Sequence, residues 1–238
     1  MAEVAGATGM VRAAGAARAA GAGRCGCRRD GVTMVLSVEH IAKRYGSRPV
    51  LRDASLRAGR GQLVGVVGEN GAGKTTLLRI LSGDLRPDAG TVRLDGTLGY
   101  CPQYPVLDEE LSARQHLRLF QIAHRLPGLD RAEDLLRALG LDAYDRQPVR
   151  TLSGGTRQKL NLILALMHDP AVLLLDEPYQ GFDWDTYLRF WDIARELREA
   201  GRTVLIVSHL AYDTQRLDAL YRLADGRLHR APTTGAHG

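Results

Sequence analysis

The chain has 238 residues, 45% of them hydrophobic, which is enough for one substantial core and a small subdomain but not for two full domains. No apolar run approaches the roughly 18 residues that a membrane-spanning helix needs, so we expect a protein that is soluble by itself. Its three cysteines are few and odd in number and lack zinc-type pairing, which predicts a reducing compartment and no disulfides.

The formal net charge of +5 comes mostly from the first 33 residues, which hold five arginines against Glu3 and Asp30. The remaining chain has 27 basic and 25 acidic residues, so its charge does not indicate a nucleic-acid partner. Residues 1–33 resemble a transit peptide in composition but lack its serine content and an apolar stripe. We expect a disordered Ala/Gly/Arg-rich tail there, and a folded domain from Met34. An alternative is that translation begins at Met34.

Strand-like and helical patterns alternate after this tail and predict an α/β domain. The predicted strands lie at residues 35–41, 50–56, 62–67, 91–95, 98–101, 171–176, 203–208 and 219–223. The last strand is followed by Asp225-Gly226, a hairpin signal.

Between Gln103 and Leu152 the strand pattern is absent, which predicts a helical insertion in the α/β core. Its first helix should span residues 112–126, opened by a capping box of Ser112 and Gln115. The apolar face expected for this helix consists of Leu119, Ile122, Ala123 and Leu126. A second helix is predicted over residues 130–139, stopped by Gly140.

Residues 68–76 form a phosphate-binding pattern in a chain that has only three lysines. They read Gly68-Glu69-Asn70-Gly71-Ala72-Gly73-Lys74-Thr75-Thr76. A β-prone run precedes this segment and a helical pattern follows it, which is the context that the motif requires. The glycines let backbone N–H groups turn toward β- and γ-phosphates, Lys74 adds a mobile charge, and the Thr75 hydroxyl is placed to hold Mg²⁺. An ordinary glycine-rich turn is the alternative.

Two further segments have the composition of an anion or metal site. A buried strand pattern ends in Asp176 and Glu177, which we expect to reach Mg²⁺ through its water shell and to polarise the water that attacks the γ-phosphate, respectively. Alone, such a pair is more often a plain strand end. Ser153-Gly154-Gly155 opens a helix predicted to run to about Met167, and it is either a second anion site or an ordinary N-cap.

In this order and spacing, the three segments resemble the nucleotide-binding subunits of ATP-binding cassette (ABC) transporters, over about residues 35–225. The part peculiar to that family is its signature segment, which residues 152–158 resemble. The resemblance implies an α/β fold: a P-loop NTPase core with an antiparallel β subdomain and a helical subdomain inserted at about residues 104–157. The domain would span residues 34–225 and be followed by a tail at 226–238.

The same resemblance gives roles to three more residues. Tyr45 resembles the aromatic residue that stacks on adenine. Gln103 resembles the glutamine that touches Mg²⁺ and the attacking water, and His209 resembles the histidine that contacts the γ-phosphate. Without the resemblance they would be a surface tyrosine, a loop residue and a structural histidine.

The family resemblance also implies the cofactors ATP and Mg²⁺ and two protein partners. Two copies of the chain would face each other head to tail, with Ser153-Gly154-Gly155 of one covering the γ-phosphate held by Lys74 of the other. A separate integral membrane permease would dock near Gln103, which places the chain on the cytoplasmic face of the cell membrane without a nucleic-acid partner. The run at residues 99–103 resembles exporters of drugs or lipids.

Two departures from the family pattern and two other functions have to be considered. Thr156 stands where the signature usually has glutamine, and Gln180-Gly181-Phe182 stands where Ser-Gly-Leu is common, although Asp183 matches. A soluble ABC-type ATPase acting on nucleic acid or ribosomes is the main alternative, but such proteins usually have two cassettes or a long coiled-coil insertion. A GTPase is disfavoured because the chain lacks an Asn-Lys-x-Asp motif.

Overall fold

The computed structural model describes residues 28–29, 32–209 and 213–233, so the disorder expected for residues 1–33 falls almost wholly outside the described residues. Ten strands form within these ranges. They are β1 (Arg28–Arg29), β2 (Val32–Tyr45), β3 (Arg48–Gly59), β4 (Leu63–Val67), β5 (Ala89–Leu94), β6 (Leu98–Cys101), β7 (Val172–Asp176), β8 (Thr203–Ser208), β9 (Ala219–Ala224) and β10 (Arg227–Ala231).

Five α-helices accompany the strands in the described ranges. They are α1 (Lys74–Leu81), α2 (Ala113–His124), α3 (Asp130–Ala138), α4 (Gly154–Leu166) and α5 (Trp184–Glu199). Short 3₁₀ turns lie at Asp142–Tyr144, Val149–Thr151 and Thr214–Arg216. The helix predicted after the phosphate loop is present as α1, and α2 begins with the expected capping box.

The strands form one curled sheet in the order β1-β2-β3-β10-β9-β4-β8-β7-β6, with β5 paired separately to β2. Strands β9, β4, β8, β7 and β6 are parallel neighbours, whereas β2 pairs antiparallel with both β3 and β5. The helices α2, α3 and α4 lie between β6 and β7 in the chain. The predicted fold class, a P-loop NTPase core with an antiparallel β subdomain and a helical insertion, is therefore confirmed.

The fold extends past both expected boundaries of the domain. Strand β2 begins at Val32, and β1 pairs with its first two residues. At the other end, Asp225 and Gly226 have φ of 50° and 73° and form the tight turn between β9 and β10. Residues 227–231, expected in a tail, belong to the sheet; they contain only one large apolar residue, Leu228, so their strand pattern is weak.

The central strands are buried on both faces, as a parallel sheet between helical layers requires. On one face, Leu173 and Leu175 of β7 join the core formed with helices α2 to α5. On the other face, Leu174 packs in a core that includes Leu77 and Leu78 of α1 and the antiparallel strands. These two cores fix the edge of the sheet from which the loops of the candidate site emerge.

The apolar face predicted for α2 is wrong. Leu119 and Ile122 are 44% and 73% exposed, and Ala123 is exposed too. Leu126 alone of the predicted set packs against the core. The buried positions are instead Ala113, His116, Leu117 and Phe120, which have the i, i+3, i+4, i+7 spacing of one helix face.

A histidine is part of this buried face, and for that reason an apolar pattern misses it. The His116 ring nitrogens lie 3.0 Å from the Ser112 carbonyl oxygen and 3.0 Å from the Asp108 backbone nitrogen, whose N–H donates to the ring. A polar side chain whose hydrogen bonds are satisfied in this way can be buried at little cost.

None of the helices in the described ranges combines the length and the apolarity needed to cross a membrane. Cys101 is buried with a free thiol, and burial raises the pKa of that thiol. Cys25 and Cys27 lie outside the described residues.

Candidate nucleotide and magnesium site

An open cavity of about 710 Å³ lies at the carboxyl ends of the parallel strands, where sheets of this kind bind ligands. The loop between β4 and α1, the end of β7 and the residue after β8 form most of its wall. Its lining residues are Tyr45, Arg48, Val50, Asn70, Gly71, Gly73, Lys74, Thr75, Thr76, Gln103, Asp176, Glu177, Gln180 and His209. Segments from five separate parts of the chain thus meet at one place.

The loop that precedes α1 adopts the conformation that its glycines predict. Gly71 and Gly73 have φ of 80° and 104°, in the left-handed region that other residues rarely enter. Gly68 is needed for a different reason, because a Cβ atom there would lie 2.6 Å from the carbonyl oxygen of Leu223. Gly68, Glu69 and Ala72 line a neighbouring cavity of about 520 Å³ on the other side of this loop.

Lys74 is the first residue of α1 and is 8% exposed. Its ammonium group donates hydrogen bonds to the carbonyl oxygens of Gly68, at 2.7 Å, and Glu69, at 3.0 Å. The side chain therefore lies back across the loop, with its charge beside the helix N-terminus. That end of the helix and the ammonium group together form an electropositive wall suited to phosphate.

Thr75 and Asp176 come together as the sequence predicts. The Thr75 hydroxyl donates to Oδ2 of Asp176 at 3.2 Å, and Asp176 is 2% exposed. Burial raises the pKa of Asp176 to about 6, and the Glu177 carboxylate adds to this, whereas the Thr75 hydrogen bond and Lys74 lower it. A cation in this place would favour the ionised form of the buried carboxylate.

The oxygen donors of this corner suit Mg²⁺. A hydroxyl and a carboxylate within hydrogen-bond distance, with the Gln103 amide on the same cavity wall, are hard ligands of the kind that Mg²⁺ prefers. The described residues contain no group of three or more His, Cys, Asp or Glu that could hold a metal ion. Mg²⁺ usually keeps several waters and binds to substrate phosphates as well as to one or two protein groups.

Glu177 is held in an uncommon backbone conformation at the end of β7. Its φ is 48°, and its side chain is almost fully buried. Oε1 accepts a hydrogen bond from the His209 backbone N–H at 2.6 Å and lies 2.8 Å from Nδ1 of the same residue. Oε2 accepts from the Ser208 hydroxyl at 3.2 Å. Against an ionised carboxylate Nδ1 must carry a proton, which leaves Nε2 of His209 available to a ligand.

The remaining predicted residues of this cavity lie at its rim and on its far wall. The Tyr45 side chain is 47% exposed at the end of β2 and borders the opening. Gln103, after β6, donates from Nε2 to Oε1 of Gln180 at 3.4 Å. The unusual loop after β7 is thus connected to the predicted magnesium contact.

The signature segment lies elsewhere. Ser153 caps α4 by accepting a hydrogen bond from the Thr156 backbone N–H at 3.2 Å, and its hydroxyl lies 2.8 Å from that of Thr156. In the part of the chain that the structure describes, no residue from 152–158 lines the cavity around Lys74. Gly155 instead touches the loop after β7: a Cβ atom there would lie 2.5 Å from the Gly181 carbonyl oxygen.

The structure adds residues that sequence reasoning did not single out. Ser208 supports Glu177 from the neighbouring strand, and Arg48 and Val50 line the cavity beside Tyr45. Ser208 directly precedes the predicted His209 at a strand end, which was the available signal. Arg48 had no signal in the sequence, because its position depends on the register of β2 against β3.

Comparison with known proteins identifies the family. A family model described as "ABC transporter" matches residues 51–180, more than half of the chain. The daunorubicin resistance ATP-binding protein DrrA3 of Streptomyces coeruleorubidus is 40% identical over 205 residues, which are 80% of this chain and 63% of that protein. The Nod factor export ATP-binding protein I of Ralstonia nicotianae is 38% identical over 213 residues, 83% of this chain and 66% of that protein. The chain thus spans about two thirds of the length of these relatives.

Solved structures agree with the sequence comparisons. The structure described as the ATP binding subunit of an ABC transporter superposes with a TM-score of 0.78 at 28% identity, covering 83% of this chain and 89% of the other. The fold, the order of the motifs and the matched family model lead to the same result, which confirms the resemblance read from the sequence. The chain belongs to the ABC transporter family.

Proposed function

We propose that this chain is the ATP-binding and ATP-hydrolysing subunit of a membrane transporter, driven by ATP-dependent closure of two copies. The observation that carries the proposal is the meeting of three groups in one cavity. These are the phosphate loop with Lys74, the Thr75–Asp176 pair, and Glu177 fixed by Ser208 and His209. Together they provide a place for phosphates, for a hard cation and for an attacking water.

The phosphate loop and α1 bind the β- and γ-phosphates. Backbone N–H groups of the loop bind the oxygens, except that of Ala72, which donates to the Glu69 carbonyl oxygen at 3.1 Å. Lys74 exchanges its bonds with the loop carbonyls for bonds to phosphate. Thr75, Asp176 and Gln103 are the residues that would hold Mg²⁺, Asp176 through a water. When bound there, the cation would supply positive charge for the β- and γ-phosphate oxygens. Tyr45 stacks on the adenine at the rim of the cavity.

Glu177 acts on the water that attacks the γ-phosphate. Its carboxylate is held by three hydrogen-bonding groups of residues 208 and 209, which fix its direction before the substrate arrives. His209 has Nε2 available for the γ-phosphate, on the side of the ring away from Glu177. The Gln103–Gln180 contact connects this water position to the loop after β7.

Two copies of the chain are needed because each has only half of the site. The signature helix end at residues 153–155 is a second anion site, and it lies outside the cavity of its own chain. In a head-to-tail pair, it covers the γ-phosphate bound to the partner. ATP then bridges the copies, and hydrolysis removes the bridging charge so that they separate.

The membrane partner docks on the helical insertion near Gln103. The segment after Gln103 and the outer side of α2 expose large apolar side chains, with Tyr104, Val106 and Ile122 being 74%, 49% and 73% exposed. Such exposure is typical of an interaction surface. The chain is then a peripheral protein of the cytoplasmic membrane face. The names of the relatives, which mention export and drug resistance, favour an exporter over a soluble ribosomal or nucleic-acid ATPase.

The test combines turnover with purification of partners. Purified protein should release phosphate from ATP only with Mg²⁺, and Lys74→Ala should abolish this, whereas Lys43→Ala, outside the cavity, should retain it. Affinity purification from detergent-extracted membranes should recover a polytopic membrane protein. Recovery of RNA or ribosomes instead, or Mg²⁺-independent turnover, would contradict the proposal.

A further inference from the structure

The hairpin between β2 and β3 places an arginine beside the adenine-stacking position. Tyr45 and Arg48 are direct cross-strand partners on either side of the two-residue turn Gly46-Ser47. Directly opposed residues of an antiparallel pair project to the same face, with Cβ atoms about 4.5–5.5 Å apart. Both side chains accordingly line the 710 Å³ cavity.

Among the described residues, the charge of Arg48 has no protein partner. In the ranges that the structure describes, its guanidinium group makes neither an ion pair nor a side-chain hydrogen bond, and its side chain is exposed. The other cation of the cavity, Lys74, has two hydrogen bonds to loop carbonyls. An arginine that lines a cavity wall without an ion pair to the described residues is suited to an anionic ligand, because the guanidinium group can bind phosphate through two parallel hydrogen bonds.

The position of Arg48 along the cavity indicates which phosphate it meets. The carboxylates of Asp176 and Glu177 mark the end where the metal and the γ-phosphate lie, and Tyr45 marks the end of the base. Arg48 is the direct neighbour of Tyr45, and it also lines the adjoining cavity together with Asn70 and Gly71 of the phosphate loop. It therefore lies between the base and the outer turn of the loop.

We propose that Arg48 is a nucleotide-binding residue whose guanidinium group contacts the phosphate nearest the nucleoside. This inference rests on the proposed function, since it requires that the cavity binds ATP. ADP and ATP share that phosphate. The contact consequently persists after hydrolysis and contributes to the affinity of both nucleotides by the same factor.

The test measures dissociation constants of MgADP, and of MgATP in a Glu177→Gln background, by isothermal titration calorimetry. Arg48→Ala should weaken both nucleotides by about tenfold or more, and to the same extent, because a charge-assisted hydrogen bond is lost. Arg48→Lys should recover part of the affinity, because it keeps the positive charge that binds the phosphate. Arg48→Gln, which lacks this charge, should not. The dissociation constants of Arg48→Ala should also depend less on salt concentration than those of the unaltered protein, because a charge has been removed.

Arg52→Ala is the matched control, because Arg52 is on the same strand and lines only the adjoining cavity. It should bind both nucleotides like the unaltered protein. Wild-type affinity in Arg48→Ala, a loss for MgATP alone, or full recovery by Arg48→Gln would each overturn the inference. Failure of the unaltered chain to bind either nucleotide would instead overturn the proposed function, so the two failures are distinguishable.

Discussion

Glu177 shows how the chain fixes a single functional side chain. A non-glycine residue in the left-handed region costs on the order of 1–3 kcal/mol at sites of this kind, and it persists only where its surroundings impose it. Here the surroundings are the Ser208 hydroxyl and the His209 backbone and ring, all bonded to the carboxylate. The strained backbone turns the carboxylate back toward the neighbouring strand, beside the predicted position of the γ-phosphate.

Replacing Glu177 by Gln should separate nucleotide binding from hydrolysis. The amide keeps the size of the side chain but cannot act as a base, so turnover should fall by about 10²–10⁴, while ATP is still bound and the two copies still associate. Phosphate release and size-exclusion chromatography with MgATP measure these two properties. Glu199→Gln, at the exposed end of α5, is the control and should hydrolyse ATP normally. Unchanged hydrolysis in Glu177→Gln would remove that residue from its proposed role.

Most single residues of the site were predictable, because their context is local. Lys74 and Thr75 follow a strand and a glycine-rich loop, and Asp176 ends an apolar run, so each can be placed from its neighbours in the sequence. Ser208 and Arg48 were missed, because each acts across a strand pairing. The hydroxyl of Ser208 meets a carboxylate 31 positions away, and no sequence pattern contains that register.

At the scale of elements, a pair of stacked histidines joins the helical insertion to the core. The rings of His124, in the last turn of α2, and His168, after α4, lie 4.1 Å apart with an interplanar angle of 17°. Phe120 stacks on the outer side of His124 at 5.9 Å. Nε2 of His168 lies 3.0 Å from the Leu98 carbonyl oxygen, to which it donates. Burial lowers the pKa of both rings, which favours their neutral forms in this contact.

Acid should therefore weaken the folded state through His124. Burial, with a smaller effect of His168, lowers the pKa of His124 from 6.5 to about 4, so the unfolded chain binds more protons between these pH values. The contribution of His124 should therefore lower the free energy of unfolding as pH decreases from about 6.5 to about 4. Urea denaturation at several pH values measures this slope, which His124→Phe should reduce while keeping the stacked ring.

Two comparisons make this pH experiment specific. Asp176, with a pKa raised to about 6, acts in the opposite direction, because its folded form binds the proton more tightly. Since Asp176 is present in both proteins, its contribution cancels between the wild type and His124→Phe. The second comparison is His229→Phe, which makes the same change of side chain at an exposed position. An equal slope in wild type and His124→Phe would contradict the assignment.

The elements themselves were easier to predict than the faces they bury. All eight predicted strands form, since their patterns are strong, and α2 starts at its capping box. The wrong face of α2 has a physical cause: exposed residues of this helix, such as Ile122, are as apolar as residues of the core. A pattern of apolar residues cannot distinguish a core-facing stripe from a surface kept for another protein.

At the scale of the whole molecule, the helix ends at α1 and α4 are the two anion sites that we propose. A complementation experiment can test whether they act as a pair between two copies of the chain. Ser153→Arg should spare ATP binding by the monomer but prevent hydrolysis, because the bulky cation blocks the partner's pocket. Lys74→Ala should lack the half of the composite site that binds the phosphates of ATP. Mixed together, the two variants should recover one composite site and a measurable part of the wild-type phosphate release.

Each variant alone provides the control for the mixture, since neither homodimer has a complete site. Activity in the mixture that does not exceed the sum of the separate variants would argue against sharing between copies. A hydrolysis-blocked protein that stays monomeric when it is saturated with MgATP would also argue against a site shared between two copies.

At this scale the fold class was predictable, because a strand, phosphate loop and helix occur in a recognisable order with a helical stretch between strands. The connection between the antiparallel and the parallel part of the sheet was not predictable. Strand β10 joins the antiparallel layer to the core through the pairing of Arg227 with Asp53, and its sequence has little apolar character. Long-range pairings of this kind depend on the whole fold and not on any local pattern.

The close approach of Gly155 to Gly181 has a consequence for how two copies would behave together. The main chains of the α4 helix end and of the loop next to Glu177 leave no room for a methyl group between them. A movement that presses one of these segments toward the other would therefore displace it. In a head-to-tail pair, ATP bound by one copy would contact the α4 end of the other copy. That contact would be transmitted through the backbone to the loop next to Glu177, so that hydrolysis at the two sites would be coupled.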